Sequence, residues 1–150
     1  MGEDAFGEQL LANLKGFGVE IGAVRRAAGV SSGVAAILVD AGGDNRILVV
    51  AGANGQVSPD DIRVADDPMR QARLVVMQLE IPLESVLAAA RLARSVGTPV
   101  LLNPAPARDL PDELLGWLDT LVVNESEAGV LSGLSVNNIE EGFAAGEALR

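Results

Sequence analysis

Residues 74–124 read LVVMQLEIPLESVLAAARLARSVGTPVLLNPAPARDLPDELLGWLDTLVVN, and this stretch decides the fold class. Three apolar runs punctuate it: Leu74-Val75-Val76-Met77, Val100-Leu101-Leu102 and Leu121-Val122-Val123. Each is short and continuous, bounded by turn residues, and reads as a buried strand. Between the first two, Leu83, Val86, Leu87, Ala90 and Ala93 recur at helical spacing, and Gly97 closes the pattern. Between the second and third, a short helix over 112–118 follows Pro111. Parallel strands need long crossovers, usually helical, so this alternation predicts an α/β fold with a parallel sheet.

Outward from that stretch the patterns are more local. Downstream, a helix over 125–131 stops at Gly133, and a second helical pattern runs from Asn138 to Arg150 without a stop signal. Upstream, Ser58-Pro59-Asp60-Asp61 reads as a helix start: a serine cap, a proline in the first turn, and acids that suit the helix dipole. Residues 34–39 and 47–50 flank the turn cluster Asp40-Ala41-Gly42-Gly43-Asp44 and predict a hairpin. Phe6, Leu10, Leu11 and Leu14 share one face of a helix over 4–15, and a short strand is expected over 19–26. The chain reads as one domain, 1–150, with the hairpin at 34–51 projecting as a small layer of its own.

Composition narrows the chemistry. The formal net charge of -10 repels nucleic acid and anionic membrane, so neither is an expected partner. With no cysteine and no histidine, disulfides, thiolate or imidazole metal sites and an imidazole base are excluded. A hydrophobic fraction of 49% and a mean hydropathy of +0.30 are those of a folding chain. The longest apolar runs, such as 34–39, are too short to span a bilayer. Acidic Glu3 and Asp4 stand where a targeting peptide needs base, so a cytoplasmic location is expected.

In an open parallel sheet, ligands bind beyond the carboxyl ends of the strands. Gln78-Leu79-Glu80 follows the first strand, Asn103-Pro104-Ala105-Pro106 the second, and Asn124-Glu125-Ser126-Glu127 the third. Amides and carboxylates would therefore line one edge, a rim suited to hydroxyl-rich ligands and to a hard cation such as Mg²⁺. Each group also has a plainer reading. Glu80 serves equally as a solvated acid ahead of a helix, Asn103 as a turn residue, and Asn124 with Glu127 as a capping box.

Met77-Gln78-Leu79-Glu80-Ile81-Pro82, Asn103-Pro104-Ala105-Pro106-Ala107, Leu110-Pro111-Asp112-Glu113-Leu114 and Asn124-Glu125-Ser126-Glu127, in that order, resemble successive motifs of the ribokinase-like sugar kinases, the pfkB carbohydrate kinases. Gly2-Glu3-Asp4-Ala5-Phe6-Gly7 resembles that family's Gly-Asp-Asp-x-Phe-Gly segment. Ser32-Gly33-Val34-Ala35 and Ala51-Gly52-Ala53-Asn54 resemble the strands and exit of its lid. The Gln-Leu-Glu and Asn-Pro-Ala-Pro-Ala stretches favour the ribose-phosphorylating members. The resemblance implies a three-layer α/β/α fold with a mainly parallel sheet and a small β lid. It implies transfer of the ATP γ-phosphoryl group to the 5-hydroxyl of D-ribose. It makes Glu80 a sugar-binding carboxylate, Asn124 an ATP-contacting amide, and Glu127 the acid that helps hold Mg²⁺ near the phosphates. It also implies a homodimer formed through the lid and a monovalent cation, K⁺, in the intact enzyme.

Two family segments have no counterpart among these residues. One is an opening strand with a Gly-Gly sugar loop. The other is the Gly-Ala-Gly-Asp motif that carries the catalytic base and the anion hole. The expectation is a middle portion of the family fold, a natural fragment or a partial reading frame, with no catalytic residue of its own and inactive alone. Two alternatives stand beside it: a catalytically dead module that binds sugar weakly or dimerises, and a kinase for another sugar or a nucleoside.

Overall fold

The structure is a computed structural model that describes residues 1–150. Its centre is a parallel sheet of β3 (Val75–Met77), β4 (Val100–Leu102) and β5 (Thr120–Leu121), in that spatial order. Helix α4 (Leu83–Val96) makes the first crossover and α5 (Asp112–Leu115) lies in the second. Gly97 ends α4 in the left-handed conformation, φ 78°, which a β-carbon would disfavour. Val86, Ala90 and Ala93 of α4 are wholly buried. Val86 and Ala90 pack with Leu79, Leu102 and Leu114 into one core cluster. Alanine is what lets a helix lie close to a sheet, and each buried Val or Leu contributes about 1.5–3 kcal/mol.

The second sheet is the expected hairpin, β1 (Val34–Val39) and β2 (Asn45–Val50), with Ile37 opposite Ile47. Asp40 Oδ1 accepts from the N–H groups of Gly42 and Asp44 and organises the turn. Every residue of both strands is exposed, and both faces of the hairpin are apolar. A 3-10 turn (Gly52–Gln56) follows, then α2 (Pro59–Arg63), where Ser58 and Asp61 close a reciprocal capping box. After the third strand come α6 (Glu125–Ser132) and α7 (Ile139–Ala148). At the front of the chain α1 (Ala5–Gly16) is capped by Asp4.

Several expectations are corrected. Residues 19–26 form irregular backbone with one turn at 22–23 rather than a strand. Gly18 and Gly22 break the run, and the nearest ladder is a single bridge between Gly2 and Ala27. The outer strands are not buried: Val76 is 64% exposed, because β3 is a sheet edge with one side chain on an uncovered face. The third strand is shifted to Thr120–Leu121, and the helix after Pro111 ends at Leu115, before Gly116. Helix α3 (Asp66–Gln71) was not anticipated, although two acids in its first turn and Arg70 in its last are dipole-favourable. On α1, Leu11 and Leu14 are half-buried, but Phe6 and Leu10 face outward. No helix is long and apolar enough to cross a membrane.

Candidate functional site

The strand exits are laced together beyond the ends of the ladder. Asn103 N–H donates to the Met77 carbonyl (2.9 Å), and Leu79 N–H donates to the Ala105 carbonyl (3.0 Å). This pairing turns Leu79 into the core and leaves Glu80 outside it. Glu80 lines a cavity of about 700 Å³, whose opposite wall is the hairpin face carrying Ala35, Ile37, Ile47 and Val49. Pro106, Gly33 and Asn54 complete its rim. One carboxylate set against an aliphatic wall suits a ring that has both C–H faces and hydroxyls.

Asn124 and Glu127 form a second group on the same edge. Asn124 caps α6, and Glu127, only 6% exposed, answers it in a reciprocal capping box. Glu127 Oε1 accepts from Asn124 Nδ2 (3.0 Å). Its Oε2 accepts from Asn124 N–H (3.0 Å) and from Asn103 Nδ2 (3.2 Å). Asn103 Nδ2 also donates to the Val122 carbonyl (2.9 Å), so one amide ties the exit of β4 to that of β5. The structural reading of the capping box is thus realised, and it leaves a function open. A carboxylate offers about four lone-pair sites, and three donors engage this one.

The donor set fits a hydrated hard cation rather than a caged one. No group of three or more acidic, histidine or cysteine side chains converges anywhere in the chain. Mg²⁺ retains several waters and is commonly held by one or two carboxylates plus substrate phosphates. Glu127 is the buried acid on this edge that could serve so.

One cluster joins two segments that sequence alone does not pair. Asp4 Oδ1 accepts from Gly7 N–H (2.8 Å) and from the Ser32 hydroxyl (2.7 Å), while Oδ2 accepts from Ser32 N–H (2.6 Å). The Gly7 N–H first, then Ser32, hold the Asp4 carboxyl below the usual aspartate value. Ser32 is buried just ahead of β1, so this contact anchors the root of the hairpin against the start of α1. Gly2 and Gly52 press on the same segment: a β-carbon on either would come within 2.4–2.5 Å of the backbone at residues 30–32. The Gly-x-Asp-x-x-Gly spacing was visible, but its partner lies 28 residues away.

Comparisons with known proteins show the family and the fold. The model of the pfkB family carbohydrate kinases matches residues 1–150. The chain belongs to the pfkB family. Its α/β fold is that of the ribokinase-like kinases. A ribokinase of Schizosaccharomyces pombe is 42% identical over 131 residues, covering 87% of this chain and 41% of the relative. A deoxyribokinase of Salmonella typhi is 38% identical over 150 residues, covering 99% of this chain and 49% of the relative. The structure of an Arabidopsis thaliana ribokinase complexed with ribose and ATP superposes with a TM-score of 0.81 at 31% identity, over 99% of this chain and 49% of that one. The chain spans about half the length of the curated relatives it matches. As a pfkB member it carries Glu80, Asn103, Asn124 and Glu127 on one sheet edge, and the hairpin beside it.

Proposed function

We propose that this chain is the sugar-holding part of a ribokinase-type carbohydrate kinase, which transfers the γ-phosphoryl group of ATP to the 5-hydroxyl of D-ribose. The observation that carries the reading is the shared cavity, in which Glu80 faces the apolar side of the hairpin. Glu80 accepts hydrogen bonds from sugar hydroxyls and so orients the ring. The hairpin acts as a lid, and its aliphatic side chains exclude water, against which a transferring phosphoryl group must be protected. Asn124 contacts the nucleotide, and Glu127 holds the water shell of Mg²⁺. When bound, that ion neutralises charge on the phosphates. A monovalent cation, K⁺, belongs to the same proposal, and none of the residues described is assigned to it. The outward hairpin face, with Ala36, Leu38 and Leu48, pairs with another subunit's lid in a homodimer.

The 150 residues contain no Gly-Ala-Gly-Asp segment. No catalytic base is therefore assigned among them, and the chain by itself binds without turnover. Incubation with ATP, Mg²⁺ and ribose should yield no ribose phosphate above background, and measurable turnover would contradict this part of the proposal.

A second reading, deoxyribose in place of ribose, is favoured by the deoxyribokinase match along the whole chain. Calorimetric titration with D-ribose, 2-deoxy-D-ribose and adenosine separates the possibilities. Tightest binding of ribose is expected. Preference for deoxyribose would move the assignment to the second reading, and preference for adenosine would overturn the sugar assignment.

A further inference from the structure

We infer that the side-chain amide of Asn54 is a second ligand-contacting group of the cavity, selecting with Glu80 which arrangement of ring hydroxyls is accepted; this rests on the sugar reading above. Asn54 lies on the 3-10 turn that follows β2 and lines the same cavity as Glu80. Its mount is rigid. The neighbouring Ala53 is buried and donates its N–H to the Ser31 carbonyl (2.8 Å). Asn54 N–H donates to the Ala51 carbonyl (3.0 Å), and its own carbonyl accepts from Val57 N–H (3.2 Å). Gly52, at φ 52°, lets this turn approach Ser31 and Ser32 more closely than any side chain would allow.

The amide itself is uncommitted. The side-chain amides of Asn103 and Asn124 each make hydrogen bonds within the fold, whereas Asn54 makes only main-chain hydrogen bonds. Its Nδ2 lies 3.2 Å from the point a β-carbon on Gly33 would occupy, which places the amide between the two legs of the hairpin. An amide offers two donors and an acceptor, while an ionised carboxylate only accepts. Together the two groups suit adjacent hydroxyls, one donating to Glu80 and its neighbour accepting from Asn54. The ligand class is a polyhydroxylated ring. A site built to hydrogen-bond a hydroxyl discriminates strongly against an analogue that lacks it.

The test is NMR-detected titration of the full 150-residue chain with D-ribose and its 1-, 2- and 3-deoxy analogues. It compares the wild type with Asn54→Ala, Asn54→Asp and Glu80→Ala, with thermal melts alongside. Asn54→Asp is nearly isosteric and carries the test should Asn54→Ala fail to fold. Both Asn54 variants are expected to weaken ribose about tenfold or more. One deoxy analogue is expected to bind the wild type and the Asn54 variants equally, which identifies the hydroxyl that the amide meets. Wild-type ribose affinity in the Asn54 variants, with loss in Glu80→Ala, would overturn the Asn54 assignment and leave the sugar reading standing. So would an equal loss for ribose and all three analogues. No binding of ribose by the wild type would overturn the sugar reading and this inference together.

Discussion

Asp4 carries two consequences at the scale of single residues. Its carboxylate gathers donors from Gly7 and Ser32. Asp61 is likewise held low by Arg25 and then Ser58, and Glu141 by the main chain and side chain of Asn137. All three have native values below their unfolded ones. Their contribution to stability is therefore full above the unfolded values and is lost as pH falls through the native ones. The melting temperature should hold down to the region of the ordinary carboxylate values, 4.5 for glutamate and 3.8 for aspartate, and fall below them. Asp4→Asn should flatten that acid limb, and an unchanged limb would contradict the role. The second consequence is steric. Gly52→Ala forces a side chain into a left-handed residue 2.5 Å from the Ser31 carbonyl. It should cost about 1–2 kcal/mol in conformation alone, with the clash adding to that. Gly22→Ala, with nothing within 4 Å, should be nearly neutral. Chemical denaturation of the two variants checks the contrast. The pairing of Asn124 with Glu127 was legible in sequence because capping is local, three residues apart. The Asp4–Ser32 contact was not, since no local pattern names a partner 28 residues away.

At the scale of elements, helix α4 and strand β4 hold the core. Leu102→Ala, at a side chain with no exposure, should lower unfolding free energy by about 2–5 kcal/mol. Denaturant titration reads that loss directly. The start of α6 separates structure from function. Glu127→Gln removes the charge and keeps one acceptor for the Asn124 N–H, but sets its NH2 group against the Asn124 amide donor. If Glu127 serves the cation, nucleotide binding should weaken about tenfold in the presence of Mg²⁺ and change little in its absence, beside the fall in melting temperature that the lost cap contact brings. A fall in melting temperature alone would leave Glu127 as a cap and nothing more. The hairpin offers its own check: Leu48→Lys on the outward face should shift sedimentation toward monomer if lids pair. The hairpin and α4 were readable because alternation, turn residues and the helical period agree along each. Residues 19–26 were misread because isolated Val, Ile and Ala between glycines resemble a strand that has no neighbour to pair with. The length of β5 was misread because Val122 and Val123 are apolar, yet they lie past the last ladder pair, Leu102 with Leu121.

The whole molecule exposes 9757 Å². A self-contained monomer of 15.5 kDa would expose about 7,200 Å² by the usual scaling of surface with mass. Only 19 of 150 residues are buried, and Phe6, Val76, Ile139 and Phe143 lie open together with both hairpin faces. Apolar surface on this scale is covered in stable proteins. The isolated chain should therefore self-associate, or bind a hydrophobic dye strongly, in sedimentation and fluorescence measurements. A dye-silent monomer with one sharp melt would contradict that expectation. The family and the sheet edge were legible from the order of motifs. The cavity was not, because it forms only when residues 33–54 fold over Glu80. That cavity is the centre of the account, and one measurement reaches it most directly: the affinities of wild type and Glu80→Ala for D-ribose and for ATP, in the same buffer. The account predicts that Glu80→Ala weakens ribose about tenfold or more and leaves ATP unchanged. Equal ribose affinity in the two proteins would contradict it.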